Sequence, residues 1–424
     1  MCPGRGAGVK RRTFGNLPRA LWYGPARKEN PKMSVDFYDL NELLTEEERM
    51  VRDSVRAFVD AKLMPVIGRH FEDGTFPTEL IPEFGRLGVL GANLHGYGCA
   101  GMGDIAYGLV MQELERCDSG IRSFCSVQGA LVMYPIYAYG SDEQKAEWLP
   151  RLARGEAVGC FGLTEPDFGS NPGGMITKAV RTANGFVLNG TKRWITNGNL
   201  ADVAIVWAKL DGVVRGFVVD TKTPGFTAQK IERKYSLRAS VTSELILEDV
   251  EVPESALMPG VQGLKGPLGC LTQARYGIAW GAIGAAEACM ECAVDYTKSR
   301  KQFSRPIAGF QLVQAKFADM LTEITKAQLV VWRLGKLKEA KKMTPGQVSL
   351  AKRNNVHMAL QVARECRDLL GGNGITYDYP IGRHMLNLET VITYEGTHNI
   401  HTLVLGQEVT GIPSYDAGPV PTRG

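Results

Sequence analysis

The sequence has no strong excess of charge of either sign and no long apolar run. Its 424 residues include 49 Lys and Arg and 45 Asp and Glu, which leaves a formal net charge of +4. The basic residues are scattered and form no stripe, so nucleic acid is not an expected partner. Even the Ala- and Gly-rich run 278–288 is shorter than the roughly 18 residues that a membrane span requires. No membrane span is predicted.

Cysteine is sparse and forms no metal-ligand clusters. An odd number of cysteines, nine, in a long chain is not typical of a secreted disulfide framework. This pattern predicts no metal site and a reducing compartment, the cytoplasm of a bacterium. Cys289 and Cys292 form a CxxC, but they lie in a predicted helix without the strand context of a redox motif. We interpret them as core residues.

Acidic residues are absent from the N-terminal segment. Residues 1–28 carry seven Lys or Arg and no Asp or Glu, as in a transit peptide, which would place the protein in the mitochondrial matrix. Against this, the segment lacks Ser and is interrupted by Gly and Pro, and Met33 is an alternative start. We expect residues 1–36 to be a disordered extension and residues 416–424 to be a tail.

Helical patterns occupy both ends of the folded region. Thr45 with Glu48, and Ser141 with Gln144, form capping boxes that predict helix starts. Apolar periodicity predicts further helices at 78–87, 105–116, 127–139, 269–299, 309–339 and 345–370. With 44% hydrophobic and 22% charged residues, the composition is that of an ordinary globular protein.

A β-domain separates the two helical regions. Between residues 157 and 253, runs rich in Val, Ile, Thr and Phe are interrupted by the turn dipeptides Asn184-Gly185, Asn189-Gly190 and Asp211-Gly212. We therefore predict an α + β fold with an N-terminal helical domain, a central antiparallel β-domain and a C-terminal helical bundle. The predicted limits are 37–156, 157–256 and 257–415. No strand followed by GxGxxG supports a classical dinucleotide-binding fold.

Two runs in the β-domain end in hydroxyl side chains, namely 161–166 and 194–197. Their aromatic rings would cover the face of a planar heteroaromatic ligand, while Thr hydroxyls and strand N–H groups reach its polar edge. The alternative is that the two runs are edge strands of a sheet without a ligand, and the residues alone favour this alternative. Gly371-Gly372-Asn373-Gly374, after a predicted helix, is likewise interpreted as a C-cap and turn.

These two runs, together with Arg275-Tyr276-Gly277, residues 370–374 and Tyr394-Glu395-Gly396-Thr397, resemble the acyl-CoA dehydrogenase family across nearly all of residues 38–415. Five separated motifs in the right order make the resemblance specific. It implies a homotetramer that holds FAD between the β-domain and the C-terminal helices. It also implies an acyl-CoA substrate and an electron-transfer flavoprotein as partner.

The resemblance assigns binding roles to three groups of residues. Flavin contacts are implied for Phe161, Gly162, Leu163, Thr164, Glu165, Pro166, Ser170, Trp194, Ile195 and Thr196. Contacts to the flavin nucleotide of a neighbouring subunit are implied for Arg300, Gln311, Asp368, Leu369, Leu370, Gly371, Gly372, Thr397, His398 and Asn399. Coenzyme A is expected along Ser170, Leu268, Gly269, Cys270, Leu271, Thr272, Gln273, Ala274 and Arg275, with Gly396 and Tyr415 nearby.

Glu395 is the candidate catalytic base. A carboxylate can remove the weakly acidic α-proton of a thioester only if a dry site raises its pKa towards neutrality. A lone Glu beside Gly is more often a surface or capping residue. Some branches of the family place the base just before the arginine of the central helix, but this chain has Ala274 there. The resemblance therefore leaves Glu395 without a rival.

The segment 113–123, followed by Ser126, resembles the branch of the family that oxidises and decarboxylates glutaryl-CoA to crotonyl-CoA and CO2. Arg122, with Ser123 and Ser126, is the expected site for the distal carboxylate. Glu115 is expected to organise this arginine and to assist loss of CO2, and Tyr394 matches the decarboxylating pattern. On the residues alone, Arg122 is an arginine that pairs with backbone carbonyls or an internal acid.

Other functions stay open. A dehydrogenase for plain short acyl-CoAs or an oxidase would share the same motifs. A flavin-binding member with a structural or DNA-associated role should lack the base or carry a basic tail. Asn171 and Asn399 stand where relatives carry Asp, and each removes a charge while retaining hydrogen-bonding capacity.

Overall fold

The structure is a computed structural model that describes residues 35–413. The predicted tail, Tyr415 and residues 1–34 of the predicted extension lie outside these residues. Seven helices precede the sheet: α1 (Glu46–Phe58), α2 (Met64–Asp73), α3 (Ile81–Leu87), α4 (Asp104–Cys117), α5 (Ser119–Ser126), α6 (Tyr134–Tyr139) and α7 (Asp142–Ala153). Both capping boxes are present, since Glu48 N–H donates to Thr45 Oγ1 at 3.2 Å and Gln144 N–H to Ser141 Oγ at 3.2 Å.

Helix α5 was not predicted. It begins directly after α4, at a corner where Asp118 is extended (φ −163°) and accepts a hydrogen bond from Gly120 N–H at 2.6 Å. A π-helical segment, Val127–Met133, then joins α5 to α6. The predicted helix at 127–139 is therefore the continuation of α5. An N-cap placed immediately after another helix leaves no loop pattern to reveal it.

The middle of the chain forms a seven-stranded sheet. Its strands are β1 (Gly159–Gly162), β2 (Lys178–Thr182), β3 (Gly185–Thr196), β4 (Val203–Leu210), β5 (Val213–Asp220), β6 (Phe226–Lys230) and β7 (Thr242–Pro253), in the order β1-β4-β2-β3-β7-β6 with β5 also on β4. Most pairs are antiparallel as predicted, but β1 and β2 both pair in parallel with β4. Neither reaches β4 through a hairpin, so the turn dipeptides did not reveal these pairings.

One predicted turn is a β-bulge. Asn189-Gly190 lies inside β3, where the register against β7 shifts and Gly190 has φ +150°. A Cβ at Gly190 would lie 2.4 Å from Thr177 Oγ1, so glycine is required by close approach. Asp211-Gly212 is a tight hairpin with positive φ at both residues, as predicted.

Five helices follow the sheet: α8 (Lys265–Ser299), α9 (Gln311–Glu339), α10 (Pro345–Leu369), α11 (Pro380–Val391) and α12 (His398–Thr410), with a small hairpin of β8 (Lys301–Gln302) and β9 (Arg305–Pro306) after α8. Helix α8 packs against α4 and α10. Within residues 35–413 it alone is long and apolar enough to cross a membrane, but it is mostly buried, as expected of a core helix. Cys289 and Cys292 lie in α8 as free thiols whose pKa is raised by burial.

Candidate active site

Glu395 lies in the turn between α11 and α12. Its φ is +52°, a left-handed conformation that is uncommon for a residue other than glycine. Arg275 of α8 donates from Nε to the Glu395 carbonyl at 2.7 Å. Lys352 of α10 donates from Nζ to the carbonyls of Tyr394 at 2.5 Å and Gly396 at 2.6 Å. The turn is therefore held by side chains from two core helices.

The side chain of Glu395 is half-buried, and its Oε2 atom has no hydrogen-bond partner among the described residues. Burial raises the pKa of this carboxyl group, while the charges of Arg122, Lys352 and Arg275 act in the opposite direction. The net shift is upward. A carboxylate with a raised pKa and an unpaired oxygen has the properties expected of a general base.

Arg122 is fully buried on α5. Its Nε donates to Glu115 Oε2 at 2.7 Å, and its Nη2 donates to the hydroxyl of Tyr394. Burial alone would lower the pKa of the guanidinium, but Glu115, Tyr394 and Glu395 raise it. Arg122 is thus a permanent cation next to the residue that precedes the candidate base.

Four buried polar atoms around Arg122 lack hydrogen-bond partners within residues 35–413. They are Arg122 Nη1, Glu115 Oε1, Ser126 Oγ and Tyr107 Oη. A buried polar group without a partner costs about 1–3 kcal/mol. The cluster therefore has unused capacity for a small polar ligand group. Ser123, the other predicted residue, is buried on the same helix.

Gly281 makes room for Glu115. A Cβ at Gly281 of α8 would lie 2.0 Å from Glu115 Oε2. The Arg122–Glu115 pair therefore requires glycine on the facing helix. Gly281, Tyr107 and Lys352 were not predicted from the sequence, because their roles depend on contacts between helices that are distant in the chain. A lysine on an apolar face of α10 was the one signal available.

The two candidate flavin runs are adjacent in space. Arg193 N–H donates to the Thr164 carbonyl at 2.8 Å, which joins the end of β1 to β3. The register of β3 shifts between Lys192 and Ile195, and here Trp194 has φ +63° and a ring that is 56% exposed. An exposed indole on a strained backbone beside Thr164 fits a site for a planar ligand.

Glu165 has an internal role in this arrangement. Its Oε1 accepts from Lys192 Nζ at 2.8 Å and Thr177 N–H at 3.0 Å, and its Oε2 from Ile176 N–H at 2.7 Å. Lys192, which the sequence analysis missed, also donates to the Leu163 carbonyl at 3.1 Å. The carboxylate therefore fixes the loop after β1 from inside the fold, and the flavin contact implied for Glu165 stays a prediction.

The remaining predicted binding residues lie at several places. Leu268 to Arg275 form the start of α8, which runs from the exposed Leu268 to the contact of Arg275 with Glu395. Thr397 caps α12 by accepting from Ile400 N–H at 3.2 Å, and His398 and Asn399 follow it. Ser170 is exposed in the loop between β1 and β2. Five other exposed residues lie at the ends of α8, α9 and α10 or just beyond them, namely Arg300, Gln311, Asp368, Gly371 and Gly372. Leu369 and Leu370 are buried.

The helical residues thus place a half-buried carboxylate near a buried cation with a donor atom that has no partner among residues 35–413, and the β-domain separately carries an exposed indole. In residues 35–413, no cluster of His, Cys, Asp and Glu could hold a metal ion. The carboxylate of raised pKa fits a general base, and the exposed indole fits a surface for a planar organic ligand.

Family models for the acyl-CoA dehydrogenase N-terminal, middle and C-terminal domains match residues 45–156, 160–250 and 262–410. The mitochondrial short-chain specific acyl-CoA dehydrogenase of Homo sapiens is 34% identical over 370 residues, which cover 85% of this chain and 90% of that protein. The chain belongs to the acyl-CoA dehydrogenase family. It is an oxidoreductase, as the sequence predicted.

Two solved structures are similar over most of their length. One is a glutaryl-CoA dehydrogenase from Mycobacterium smegmatis in complex with FADH2, which is 55% identical to this chain and has a TM-score of 0.89. The match covers 90% of this chain and 99% of that chain. A glutaryl-coenzyme A dehydrogenase in complex with glutaryl-CoA is 31% identical, with a TM-score of 0.83, and covers 87% and 96%. These similarities confirm the predicted fold, which is that of a family of flavoproteins.

Proposed function

We propose that this chain oxidises glutaryl-CoA with bound FAD and decarboxylates the product to crotonyl-CoA and CO2. An electron-transfer flavoprotein would be the electron acceptor. The observation that carries the proposal is the free Nη1 of the fully buried Arg122, whose Nη2 binds the residue preceding Glu395. The solved structures of glutaryl-CoA dehydrogenases at 55% and 31% identity support the same substrate.

Arg122 would bind the distal carboxylate of the substrate. Its Nε and Nη2 are occupied by Glu115 and Tyr394, so Nη1 remains to donate a charge-assisted hydrogen bond, with Ser126 Oγ and Tyr107 Oη as additional donors. An acyl chain without a carboxylate would leave these donors unpaired. The loss of about 1–3 kcal/mol corresponds to roughly 5- to 150-fold discrimination against it.

Glu395 would remove the α-proton. Its raised pKa brings proton affinity closer to that of the developing enolate, and the free Oε2 is available to receive the proton. Binding of both ends of the substrate would fix the α-carbon relative to this oxygen. Exclusion of water by the acyl chain would strengthen the electrostatic interactions inside the site.

The β-domain residues fit an isoalloxazine ring. The exposed, strained Trp194 and the loop 161–166, fixed internally by Lys192 and Glu165, would hold one face and the polar edge of FAD. Bound FAD would supply the two-electron acceptor for the hydride of the β-carbon. Residues at the ends of α8, α9 and α10 would contact the nucleotide of a neighbouring subunit in a homotetramer.

The second step would use the same residues. Oxidation gives an α,β-unsaturated thioester, which can accept the electrons released when CO2 leaves, so the charge spreads into a dienolate. Glu115, whose Oε1 has no partner within residues 35–413, would keep the Arg122 guanidinium in position while the substrate carboxylate leaves as CO2. Glu395, now protonated, would return a proton to the γ-carbon. Coenzyme A would lie along the start of α8.

Product analysis tests this proposal. Purified holoenzyme is incubated with glutaryl-CoA or butyryl-CoA and an artificial electron acceptor, and the products are identified by mass. We expect crotonyl-CoA and CO2 from glutaryl-CoA and a much lower rate with butyryl-CoA. Glu395→Gln should retain FAD but abolish flavin reduction.

Two results would contradict the proposal. Accumulation of glutaconyl-CoA would show oxidation without decarboxylation. Preference for butyryl-CoA, unchanged in Arg122→Met, would identify a dehydrogenase for plain short acyl-CoAs. Repeating the wild-type assay with oxygen as the sole acceptor distinguishes an oxidase from a dehydrogenase.

A further inference from the structure

Three successive backbone carbonyls around Glu395 are bound by two cationic side chains. Lys352 Nζ donates to the carbonyls on either side, those of Tyr394 at 2.5 Å and Gly396 at 2.6 Å. Arg275 Nε donates to the carbonyl of Glu395 itself at 2.7 Å. The Lys352 ammonium group therefore bridges the two ends of the turn that carries Glu395. The Arg275 guanidinium binds the carbonyl that lies between them.

This turn is unfavourable without such contacts. Glu395 has φ +52° and Gly396 has φ +93°. The left-handed conformation costs a residue with a side chain roughly 1–2 kcal/mol, and it persists where the surroundings hold it in place. Lys352 is buried, and its removal would leave the carbonyls of the half-buried residues Tyr394 and Gly396 without this donor. The turn would be expected to relax.

We propose that Lys352 is a positioning residue for Glu395, which fixes the left-handed turn through two carbonyls and adds a positive charge to the surroundings of the base. The inference rests on the proposed function, because it takes Glu395 as the base. Lys352 Nζ donates to two backbone carbonyls, and no contact with substrate is assigned to it.

Five elements contribute charged or titratable groups around the turn. Besides Lys352 of α10, these are Arg122 of α5, Arg275 of α8, His401 of α12, and Tyr107 and Glu115 of α4. Burial, reinforced by Lys352 and Arg275, lowers the pKa of His401 to about 3, so this imidazole is neutral. The pH dependence of the turn therefore does not come from His401.

Lys352 and Glu395 influence each other. Burial lowers the pKa of the Lys352 ammonium, and the charge of Glu395 opposes that shift. In return, Lys352 is one of three cations that oppose the upward shift of the Glu395 pKa. Burial raises the pKa of the Tyr394 hydroxyl, so it is neutral as well. Loss of the Lys352 charge would therefore raise the Glu395 pKa further.

The test measures proton removal directly. Holoenzyme is incubated in D2O with a glutaryl-CoA analogue that carries sulfur in place of the β-carbon, which can lose its α-proton but cannot be oxidised. Deuterium incorporation is followed by mass as a function of pH. We compare Lys352→Met, which removes donor and charge, with Lys352→Gln, which retains a donor.

We expect exchange to fall about 100-fold in Lys352→Met, the size of effect produced by a misplacement of about 1 Å. At high pH, the exchange rate of Lys352→Gln should fall less than that of Lys352→Met. In both variants, the rising part of the curve of exchange rate against pH, which we call the limb, should move to higher pH. The dissociation constant of the analogue should change less than the exchange rate. Wild-type exchange and an unmoved limb in both variants would overturn the proposal.

Lys234→Met is the matched control. The Lys234 ammonium also binds loop oxygens, those of Leu237 at 3.0 Å, Ser240 at 2.7 Å and Thr242 at 2.7 Å. We expect this variant to keep the wild-type pH limb. A shift equal to that in Lys352→Met would show a general effect of removing an internal lysine and would overturn the specific role.

If neither Lys352 variant folds, Gly396→Ala tests the geometry. A Cβ at Gly396 would lie 2.8 Å from His401 Nε2 and 3.2 Å from Arg275 Nη2, so the turn must shift while Lys352 stays in place. Exchange should fall with little movement of the limb, and an unchanged rate would refute the proposal. If the wild type exchanges the α-proton of a butyryl-CoA analogue only, the proposal that glutaryl-CoA is the substrate is wrong. The role of Lys352 is then decided by comparing the same variants with the butyryl-CoA analogue.

Discussion

The Arg122 guanidinium and the Glu115 carboxylate lie 2.7 Å apart, from Nε to Oε2, and both side chains are fully buried. A buried ion pair is weak evidence for stability, because desolvation opposes the Coulombic attraction. Here Arg122 Nη1 and Glu115 Oε1 have no hydrogen-bond partner within residues 35–413. Its arrangement is therefore better explained by recognition of a ligand than by stabilisation of the fold.

Arg122→Lys should weaken use of glutaryl-CoA although the charge is retained. An ammonium group cannot replace a planar fork that binds Glu115, Tyr394 and a carboxylate together. We expect kcat/KM for glutaryl-CoA to fall roughly 5- to 150-fold, with a smaller effect on butyryl-CoA. Steady-state kinetics with both substrates measures the difference, and equal losses would argue against carboxylate recognition.

Arg122→Met should also unfold more easily. It leaves Glu115 as an uncompensated buried acid, for which a loss of about 3–5 kcal/mol in the free energy of unfolding is typical. The double variant Arg122→Met/Glu115→Gln removes the unpaired charge and should recover part of that loss. Denaturant unfolding of the wild type, Arg122→Met and the double variant measures this recovery. No recovery in the double variant would contradict this explanation.

Gly281→Ala should disturb the site from the opposite helix. The new Cβ would lie 2.0 Å from Glu115 Oε2, so Glu115 must move and release Arg122. We expect a higher KM for glutaryl-CoA and a lower Tm. Gly68→Ala is the control, since Gly68 of α2 has no atom within 4 Å of an added Cβ. That change should stabilise the helix by about 0.5–1 kcal/mol, and similar kinetics for both variants would exclude a steric effect at Glu115.

Lys192→Met should release FAD. It breaks the ion pair with Glu165 and removes the donor to the Leu163 carbonyl, both of which fix the loop after β1. Because both side chains are buried, we expect a loss of about 3–5 kcal/mol in stability. The flavin absorbance per protein after gel filtration and the Tm with added FAD are the measurements. Full retention of FAD would show that the loop does not depend on this pair.

Glu287→Gln should flatten the pH dependence of stability. Burial in α8, reinforced by Glu113, raises the pKa of Glu287 to about 7, although Gln112 and Gln328 donate to it at 3.0 Å and 2.8 Å. A carboxyl group whose pKa is higher in the folded than in the unfolded state stabilises the fold at pH values below its unfolded-state pKa. This stabilisation is lost as pH rises from about 4.5 to about 7. The loss is about 3 kcal/mol.

Thermal or denaturant unfolding from pH 4.5 to pH 8 checks this difference. The wild type should lose stability relative to Glu287→Gln as pH rises. Glu323→Gln, the same substitution at an exposed position of α9, should follow the wild type. Parallel curves for wild type and Glu287→Gln would contradict the prediction.

Local patterns predicted the helices and their starts well. The Thr45 and Ser141 capping boxes formed as expected, and α8, α9 and α10 begin and end within a few residues of the predicted positions. Caps and helical periodicity depend on residues three to four positions apart, so the sequence contains the whole interaction. Asn189-Gly190 was misread because a bulge in a long strand has the same local signature as a turn.

The sequence by itself determined the order of helices, sheet and helices, and through its resemblance to a family it named Glu395 and Arg122. Only the tertiary structure decided how these residues are held. Arg122 meets Tyr394 across 272 positions of the chain, and Lys352 reaches the Tyr394 carbonyl across 42. Such contacts join separate helices and leave no periodic pattern. They are set by packing of α4, α5, α8 and α10, and so the conformation and charge environment of Glu395 appear only in the folded chain.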